Sequence, residues 1–128
     1  MKLSTLTTAL CLLLGTLPAC ARDSAVHVNA EQAAQKIQTD DVIIIDVRTQ
    51  EEFEEGHIEG ARLIDFLEKD FADQVAKLDP QRTYLIHCQS GGRSSNALPI
   101  FEKQGIKHLI HLDGGFLAWK KAGLPVQK

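Results

Sequence analysis

The feature that most constrains the fold of this chain is the run of four β-branched residues, Val-Ile-Ile-Ile, at positions 42–45. Such a run is typical of a strand that is buried on both faces, because a strand with one face in solvent alternates apolar and polar side chains. Other strand patterns recur along the chain, and helical patterns separate them. This alternation predicts an α/β sandwich in which helices flank a central, mostly parallel sheet. The predicted strands are 26–28, 42–45, 62–64, 83–87 and 108–112.

Start and stop signals delimit the helices. Asn29 is a good N-cap, and Thr49 has Glu52 at the spacing of a capping box. Pro80 ends one helical pattern, while Pro99 lies inside another and requires a local adjustment. The predicted helices are 31–37, 50–55, 65–78, 94–104 and 116–122.

Cys88 stands at the end of the predicted strand 83–87 and begins the run Cys-Gln-Ser-Gly-Gly-Arg-Ser. A thiol is a nucleophile only as the thiolate, which a helix N-terminus and a cation both favour. Backbone amides of a Gly-rich loop also bind anions, and ligand sites of parallel sheets lie at the carboxyl ends of strands. The alternative is a small buried apolar side chain, since unpaired cysteine is often buried. The flanking Gly-Gly-Arg-Ser favours a reactive thiol.

The N-terminal segment has the pattern of a secretory signal peptide, with one early lysine, a short apolar run and small residues. Two endings are open: ordinary cleavage after a signal over 1–21, or a lipoprotein signal over 1–19 with lipid on Cys20. We expect 22–128 to be one domain outside the cytoplasm, most simply in a bacterial periplasm. Because Cys11 and Cys20 both belong to this segment, Cys88 is expected to be the one thiol of the domain.

Composition and spacing argue against several classes of partner. The net charge is −3, with no basic block, so nucleic-acid binding is not expected. His108 and His111 lie three apart on one predicted strand and face opposite sides, so no metal site is expected. By the same alternation His87 points away from the face of Cys88, which argues against a Cys–His dyad within the motif. His57, after a turn glycine, is expected to be structural.

Three motifs together resemble the rhodanese family. Asp46-Val47-Arg48, followed by the segments 51–53 and 56–61, is similar to the first rhodanese signature, and 88–94 resembles the active-site loop. The segment 113–126 is similar to the C-terminal signature. The resemblance implies a rhodanese-like three-layer sandwich and a sulfurtransferase, with no cofactor, that moves a sulfane sulfur from thiosulfate or a similar anion to cyanide or a thiol. We expect a monomer.

The resemblance also implies a role for each residue of the loop. Cys88 would be the nucleophile that carries sulfur as a persulfide, and Arg93 would attract the oxyanion end of the donor. Loop amides would stabilise the persulfide and the bound anion. The implied binding residues are Gln89, Ser90, Gly91, Gly92, Arg93 and Ser94. Asp46 and Arg48 are assigned mainly to an ion pair near the site.

Departures from related sites shape the alternatives. Gln89 stands where many rhodaneses carry Arg, which lowers the positive charge beside the nucleophile. Related phosphatases place five residues between Cys and Arg; here four intervene, which suits a sulfur atom better than a phosphoryl group. The alternatives are therefore a non-enzymatic sulfur-carrier or partner-binding module and, below it, a phosphatase-like thiol enzyme.

Overall fold

The computed structural model describes residues 23–128, so the predicted signal segment lies outside the described residues. Five parallel strands form the central sheet in the order β1-β6-β5-β2-β4, and two short strands, β3 and β7, pair antiparallel beside it. The strands are β1 (Val26–Val28), β2 (Val42–Asp46), β3 (His57–Ile58), β4 (Arg62–Leu63), β5 (Thr83–His87), β6 (His108–Leu112) and β7 (Val126–Gln127). The helices are α1 (Ala30–Thr39), α2 (Gln50–Glu55), α3 (Phe71–Ala76), α4 (Gly92–Lys103) and α5 (Gly115–Lys121). The predicted α/β fold with a mostly parallel, helix-flanked sheet is confirmed.

Two apolar clusters pack against the two faces of the sheet. Strand β5 shows the division, because Tyr84 and Ile86 point into one cluster and Leu85 into the other, each at most 1% exposed. Helices α3 and α4 cover the first face, with Phe71 and Phe101 buried there. Helices α1 and α5 cover the second face. This two-sided burial explains the continuous apolar runs of the sequence.

Strand register sets which side chains meet at the carboxyl edge of the sheet. Ile86 of β5 pairs with His111 of β6, and His111 pairs with His27 of β1. Residues that pair laterally in a parallel sheet share a face, so these side chains lie on the side that α4 covers. His87 takes the opposite face and lies beside the Phe116 ring of α5. The chain then returns Cys88 to the face of Ile86, as its place in the same apolar cluster shows.

The capping predictions are confirmed, and one helix prediction is partly wrong. Asn29 and Thr49 both form capping boxes. The helix predicted over 65–78 is confined to Phe71–Ala76, and residues 65–70 form an irregular segment that includes turns. There the Asp65 carboxylate accepts a hydrogen bond from the amide of Leu67 at 2.9 Å, which offers the backbone an alternative to the helix.

Other boundaries differ by one or two residues. Helix α4 begins at Gly92, two residues before the predicted start, and continues through Pro99. The β3–β7 ladder was not predicted, because two-residue strands leave no periodic pattern. No helix within residues 23–128 is long and apolar enough to cross a membrane.

Candidate active site

Cys88 lies between the end of β5 and the start of α4, beneath the loop that joins them. Its Sγ accepts a hydrogen bond from the amide of Gly91 at 3.0 Å and lies 3.3 Å from Ser94 Oγ. Gly91 has a φ of +111°, and a Cβ there would collide with the carbonyl oxygen of Asp113. Only glycine meets both conditions, so the loop can turn its amides toward the sulfur. The thiol is free and the residue is 1% exposed.

The surroundings of Cys88 favour the thiolate. Burial raises the pKa of the Cys88 thiol, but hydrogen bonds from the Ser94 hydroxyl and from the amides of Ser94, Gly91 and Ser90 outweigh it and hold the pKa below its ordinary value. Aligned amides at the start of the twelve-residue helix α4 act in the same direction. The loop therefore supplies the charge stabilisation that a sulfur nucleophile needs.

Arg93 is engaged in an ion pair with Glu52. Its Nη1 and Nη2 atoms donate to the two Glu52 carboxylate oxygens at 2.7 and 2.8 Å. The hydrogen bond from Arg93 is the main cause that lowers the pKa of Glu52 to about 2. The pair fastens the first turn of α4 to the first turn of α2. An anion-binding role for Arg93 remains a prediction, and a donor would have to compete with a carboxylate.

Gln89 and Arg48 connect the loop to a buried ion pair. Arg48 and Asp46 are 2% and 0% exposed, and Arg48 Nη2 lies 2.7 Å from Asp46 Oδ2. Arg48 also donates to the carbonyl oxygen of Gly56 at 2.7 Å and to Gln89 Oε1 at 3.2 Å. The ring of Phe116 lies 4.1 Å from the Arg48 guanidinium carbon. The predicted structural ion pair between Asp46 and Arg48 is confirmed, and Arg48 contacts the loop through Gln89.

The remaining loop positions differ in their exposure to solvent. Ser90 and Gly92 are exposed, whereas Ser94 is fully buried behind the thiol. A cavity of about 180 Å³ reaches the loop at Gln89, and Arg48 and Lys120 are among its lining residues. Glu52 and Glu55 also line this cavity, so its charge is mixed, and its size suits a small molecule.

A histidine that the sequence analysis did not connect with the thiol lies behind Ser94. His111 Nε2 is 2.7 Å from Ser94 Oγ, and His111 Nδ1 is 2.7 Å from Asp113 Oδ1. The same Asp113 oxygen lies 2.5 Å from His27 Nδ1. The spacing of His111 and Asp113, two apart at the end of a strand, is the one sequence signal of this cluster, and its link to Cys88 depends on the pairing of β5 with β6.

The cluster of His27, His111 and Asp113 has the geometry of hydrogen bonds. Both ring nitrogens lie within 2.7 Å of one carboxylate oxygen. Two ligands of a tetrahedral zinc ion would be roughly 3.3 Å apart, given zinc–nitrogen distances of about 2.0 Å. The polar atoms thus satisfy one another, and we assign no metal to them.

His87 occupies a separate, fully buried position on the other face. Its Nδ1 atom lies 3.0 Å from the carbonyl oxygen of Cys88, and its Nε2 atom has no hydrogen-bond partner and lies 3.7 Å from Asp46 Oδ2. Burial is the main cause that lowers the pKa of His87, so the ring is neutral and positions the backbone. This agrees with the expectation that His87 forms no dyad with Cys88.

Comparisons with known proteins show which family and which solved structures this chain resembles. The rhodanese-like domain family matches residues 29–122. Thiosulfate sulfurtransferase 18 of Arabidopsis thaliana is 32% identical over 116 residues, which cover 81% of this chain and 85% of that protein. The uncharacterised protein slr1261 of Synechocystis is 35% identical over 117 residues, which cover 86% of this chain but only 60% of that relative. The structure of a rhodanese-related protein from Thermoplasma volcanium aligns with a TM-score of 0.71 at 24% identity, over 80% of this chain and 97% of that one.

The fold and the site define an α/β protein whose cysteine lies in an amide-lined loop at the carboxyl edge of a parallel sheet. With the family match over residues 29–122, the chain belongs to the rhodanese-like domain family.

Proposed function

We propose that this protein is a sulfurtransferase that carries a sulfane sulfur on Cys88 as a persulfide. The observation that carries the proposal is the thiol itself, with the Gly91 amide and the Ser94 hydroxyl directed at its sulfur and its pKa held below the ordinary value. Relatives named thiosulfate sulfurtransferase support the same class of reaction.

The first half-reaction loads the sulfur. The Cys88 thiolate attacks the sulfane sulfur of thiosulfate or a similar donor, so that a new S–S bond forms and the bond from that sulfur to the sulfonate group breaks. Sulfite leaves with the electron pair of the broken bond, and Cys88 becomes a persulfide. In the second half-reaction a thiolate or cyanide attacks the outer sulfur, and Cys88 leaves as the thiolate.

Fixed donors in the loop stabilise the charge of both steps. The amide of Gly91 lies 3.0 Å from the sulfur and is already oriented, so it needs no rearrangement when charge returns to Cys88. In other enzymes the loss of one such donor costs on the order of 3 kcal/mol. No redox cofactor is required, because the two half-reactions exchange sulfur without net oxidation.

The cationic groups around the loop favour a small anionic donor. The cavity at Gln89 has a volume of about 180 Å³ and includes Arg48 and Lys120 in its lining. Arg93 also lies nearby, but Asp46 pairs with Arg48 and Glu52 pairs with Arg93, so Lys120 is the main cation offered to a donor. We propose thiosulfate or another small sulfane anion as donor and a low-molecular-weight thiol or cyanide as acceptor.

The compartment follows from the N-terminal segment. We propose that the protein is exported to a periplasm after removal of 1–21, or held at a membrane through lipid on Cys20. An oxidising compartment would expose an unpaired thiol to disulfide exchange, and the 1% exposure of Cys88 would limit that side reaction.

A non-enzymatic sulfur-carrier or partner-binding module is the second candidate. The near-complete burial of Cys88 and the occupation of Arg93 by Glu52 favour it, because both slow the approach of a free anion. Such a module would hold sulfur delivered by another protein but would not turn over with small donors.

Intact mass measurement tests both candidates. We expect the protein incubated with thiosulfate alone to gain the mass of one sulfur atom, to lose it when cyanide is added, and to gain nothing as Cys88→Ser. The serine variant is the matched control, since it keeps the size of the side chain and removes the sulfur. A folded protein with a free thiol that gains no sulfur from thiosulfate, polysulfide or a persulfide donor would contradict the proposal.

A further inference from the structure

We propose that His111, through the Ser94 hydroxyl, accepts the proton of the Cys88 thiol and holds the nucleophile as a thiolate. His111 does not touch the sulfur and is therefore a positioning residue. The role of this proton transfer rests on the proposed sulfurtransferase function, but the hydrogen-bond geometry that supports it does not.

Three short contacts link the sulfur to a carboxylate at the surface. Cys88 Sγ lies 3.3 Å from Ser94 Oγ, Ser94 Oγ lies 2.7 Å from His111 Nε2, and His111 Nδ1 lies 2.7 Å from Asp113 Oδ1. The first three side chains are 1%, 0% and 2% exposed, so water does not compete along the chain. The order of groups is that of a nucleophile, a hydroxyl bridge, a base and an orienting carboxylate.

The transfer moves two protons and leaves Ser94 with the same number of protons as before. The S–H bond of Cys88 breaks and its electron pair stays on sulfur, while that proton binds Ser94 Oγ. The original hydroxyl proton of Ser94 moves to His111 Nε2. A neutral thiol and a neutral imidazole thus become a thiolate and an imidazolium, and Ser94 remains a hydroxyl.

The transfer also turns the Ser94 hydroxyl toward the sulfur. The hydroxyl has one proton and three acceptors within reach, namely His111 Nε2, Cys88 Sγ and the carbonyl oxygen of Gly91 at 3.2 Å. While His111 Nε2 carries no proton, it is the nearest acceptor, and the Ser94 hydroxyl donates its proton to this nitrogen. Once His111 is an imidazolium, Nε2 donates to Ser94, and the hydroxyl proton is free for the thiolate.

A network of hydrogen bonds to carboxylates lies behind His111. Asp113 accepts from His111 and from His27, and Asp23 lies 2.9 Å from the other ring nitrogen of His27. Hydrogen bonds to Asp113 and then Asp23 raise the pKa of His27. Asp113 therefore lies in direct contact with the ring that would receive the proton.

The other charged groups around the thiol are already paired or turned away. On the side of α4, Arg93 is held by Glu52, and below the loop Arg48 is held by Asp46. His87 on β5 takes the opposite face, and burial lowers its pKa. Among residues 23–128, His111 is therefore the base that hydrogen bonds connect to Cys88 Sγ, whereas His87 contacts only the Cys88 carbonyl oxygen.

The thiolate can be measured directly by its ultraviolet absorbance as a function of pH, with the Cys88→Ser variant subtracted to remove tyrosine and other signals. This readout requires neither sulfur transfer nor entry of a reagent to a buried thiol. We expect His111→Gln, which keeps a polar side chain but cannot hold the proton, to raise the midpoint of thiolate formation by about one pH unit, a tenfold loss of thiolate below the midpoint.

Two further variants complete the design. His108→Gln makes the same change at the exposed start of the same strand and should leave the midpoint unchanged. Ser94→Ala should raise the midpoint as His111→Gln does, and the double variant should add little to either, because both break one chain. If His111→Gln does not fold, His111→Asn takes its place, because Ser94→Ala alone also removes the direct hydrogen bond from Ser94 to the sulfur. A structural role alone would lower the melting temperature without moving the midpoint.

Sulfur loading measured in parallel separates this inference from the proposed function. If neither His111→Gln nor Ser94→Ala moves the midpoint of thiolate formation, the proposed proton transfer from Cys88 to His111 is wrong. This holds whether or not the wild-type protein loads sulfur. If both variants raise the midpoint, the proton transfer to His111 is supported, even if thiosulfate leaves no sulfur on Cys88. In that case the proposed function fails and the proton transfer stands.

Discussion

At the scale of single residues, Gly115 determines how closely the start of α5 approaches the loop of Cys88. Its φ is +62°, and a Cβ there would lie 2.7 Å from the carbonyl oxygen of Cys88 and 2.6 Å from that of Gln89. The next two amides, of Phe116 and Leu117, donate to these carbonyls at 2.9 and 3.0 Å. The backbone at the start of α5 thus supports the loop that carries Cys88.

Gly115→Ala should therefore destabilise the protein more than an equivalent change elsewhere. Gly123 has a similar φ of +72°, but a Cβ at that position would meet no atom within 4 Å, so Gly123→Ala isolates the cost of the left-handed backbone. We expect that cost to be about 1–2 kcal/mol and Gly115→Ala to add roughly 1–3 kcal/mol for the clash. Urea unfolding measures both free energies; equal values would show that the loop does not confine Gly115.

At the scale of elements, the capping box of α2 also anchors α4. The Glu52 carboxylate accepts from the amide of Thr49 at 3.0 Å, and both of its oxygens accept from Arg93. The Glu52 side chain therefore caps the N-terminus of α2 and also holds the first turn of α4. This contact joins residues 41 positions apart and sets the position of the loop that carries Cys88.

The Glu52–Arg93 pair should make stability depend on acidity in a defined direction. The pKa of Glu52 is about 2 in the folded state against an ordinary 4.5, so its stabilisation is complete above pH 4.5 and is lost as the pH falls toward 2. We expect Glu52→Gln to cost about 1 kcal/mol at neutral pH, since the pair is partly exposed to solvent. The difference from wild type should shrink in acid.

Urea unfolding at several pH values checks this. Glu51→Gln is the matched control, since Glu51 is exposed in the same first turn of α2. It should show neither the loss at neutral pH nor the acid dependence. A Glu52→Gln difference that stays constant down to pH 2 would rule out the ion pair as its source.

At the scale of the whole molecule, a series of hydrogen bonds between polar side chains fastens the edge strand β1 to its neighbour β6 inside the sheet. His27 on β1 bridges Asp23 before that strand and Asp113 after β6. Residues 86 positions apart in the sequence thereby meet at the carboxyl edge, where the site lies. The stability of the N-terminal edge and the environment of the thiol are thus coupled through one histidine.

His27→Gln should destabilise the protein only where His27 is protonated. Hydrogen bonds to Asp113 and Asp23 raise the pKa of His27 above its ordinary 6.5, so the stabilisation is complete below pH 6.5 and is lost as the pH rises through the folded-state pKa. The side chain is 41% exposed, so we expect a small shift of the urea midpoint that disappears in alkaline buffer. His108→Gln should show no pH-dependent difference, and a His27→Gln effect that persists at high pH would contradict this origin.

The sequence alone determined the features that depend on a few neighbouring residues. The buried run at 42–45, the caps at Asn29 and Thr49 and the position of Cys88 at a strand exit all follow from local periodicity and backbone hydrogen bonding, and the structure has each of them. Apolar spacing failed over 65–70, because the Asp65 side chain captures the backbone there and spacing alone does not register that competition.

Only the tertiary structure decided which polar groups meet at the thiol. His111 reaches Ser94 because β6 pairs with β5 in a register that puts His111 beside Ile86, and Arg93 meets Glu52 because α2 and α4 begin at the same edge of the sheet. The physical reason is that side-chain alternation along one strand specifies a face but not the neighbouring strand or its register. Those are set by the packing of both apolar faces at once, and they bring residues far apart in the sequence into hydrogen-bond contact.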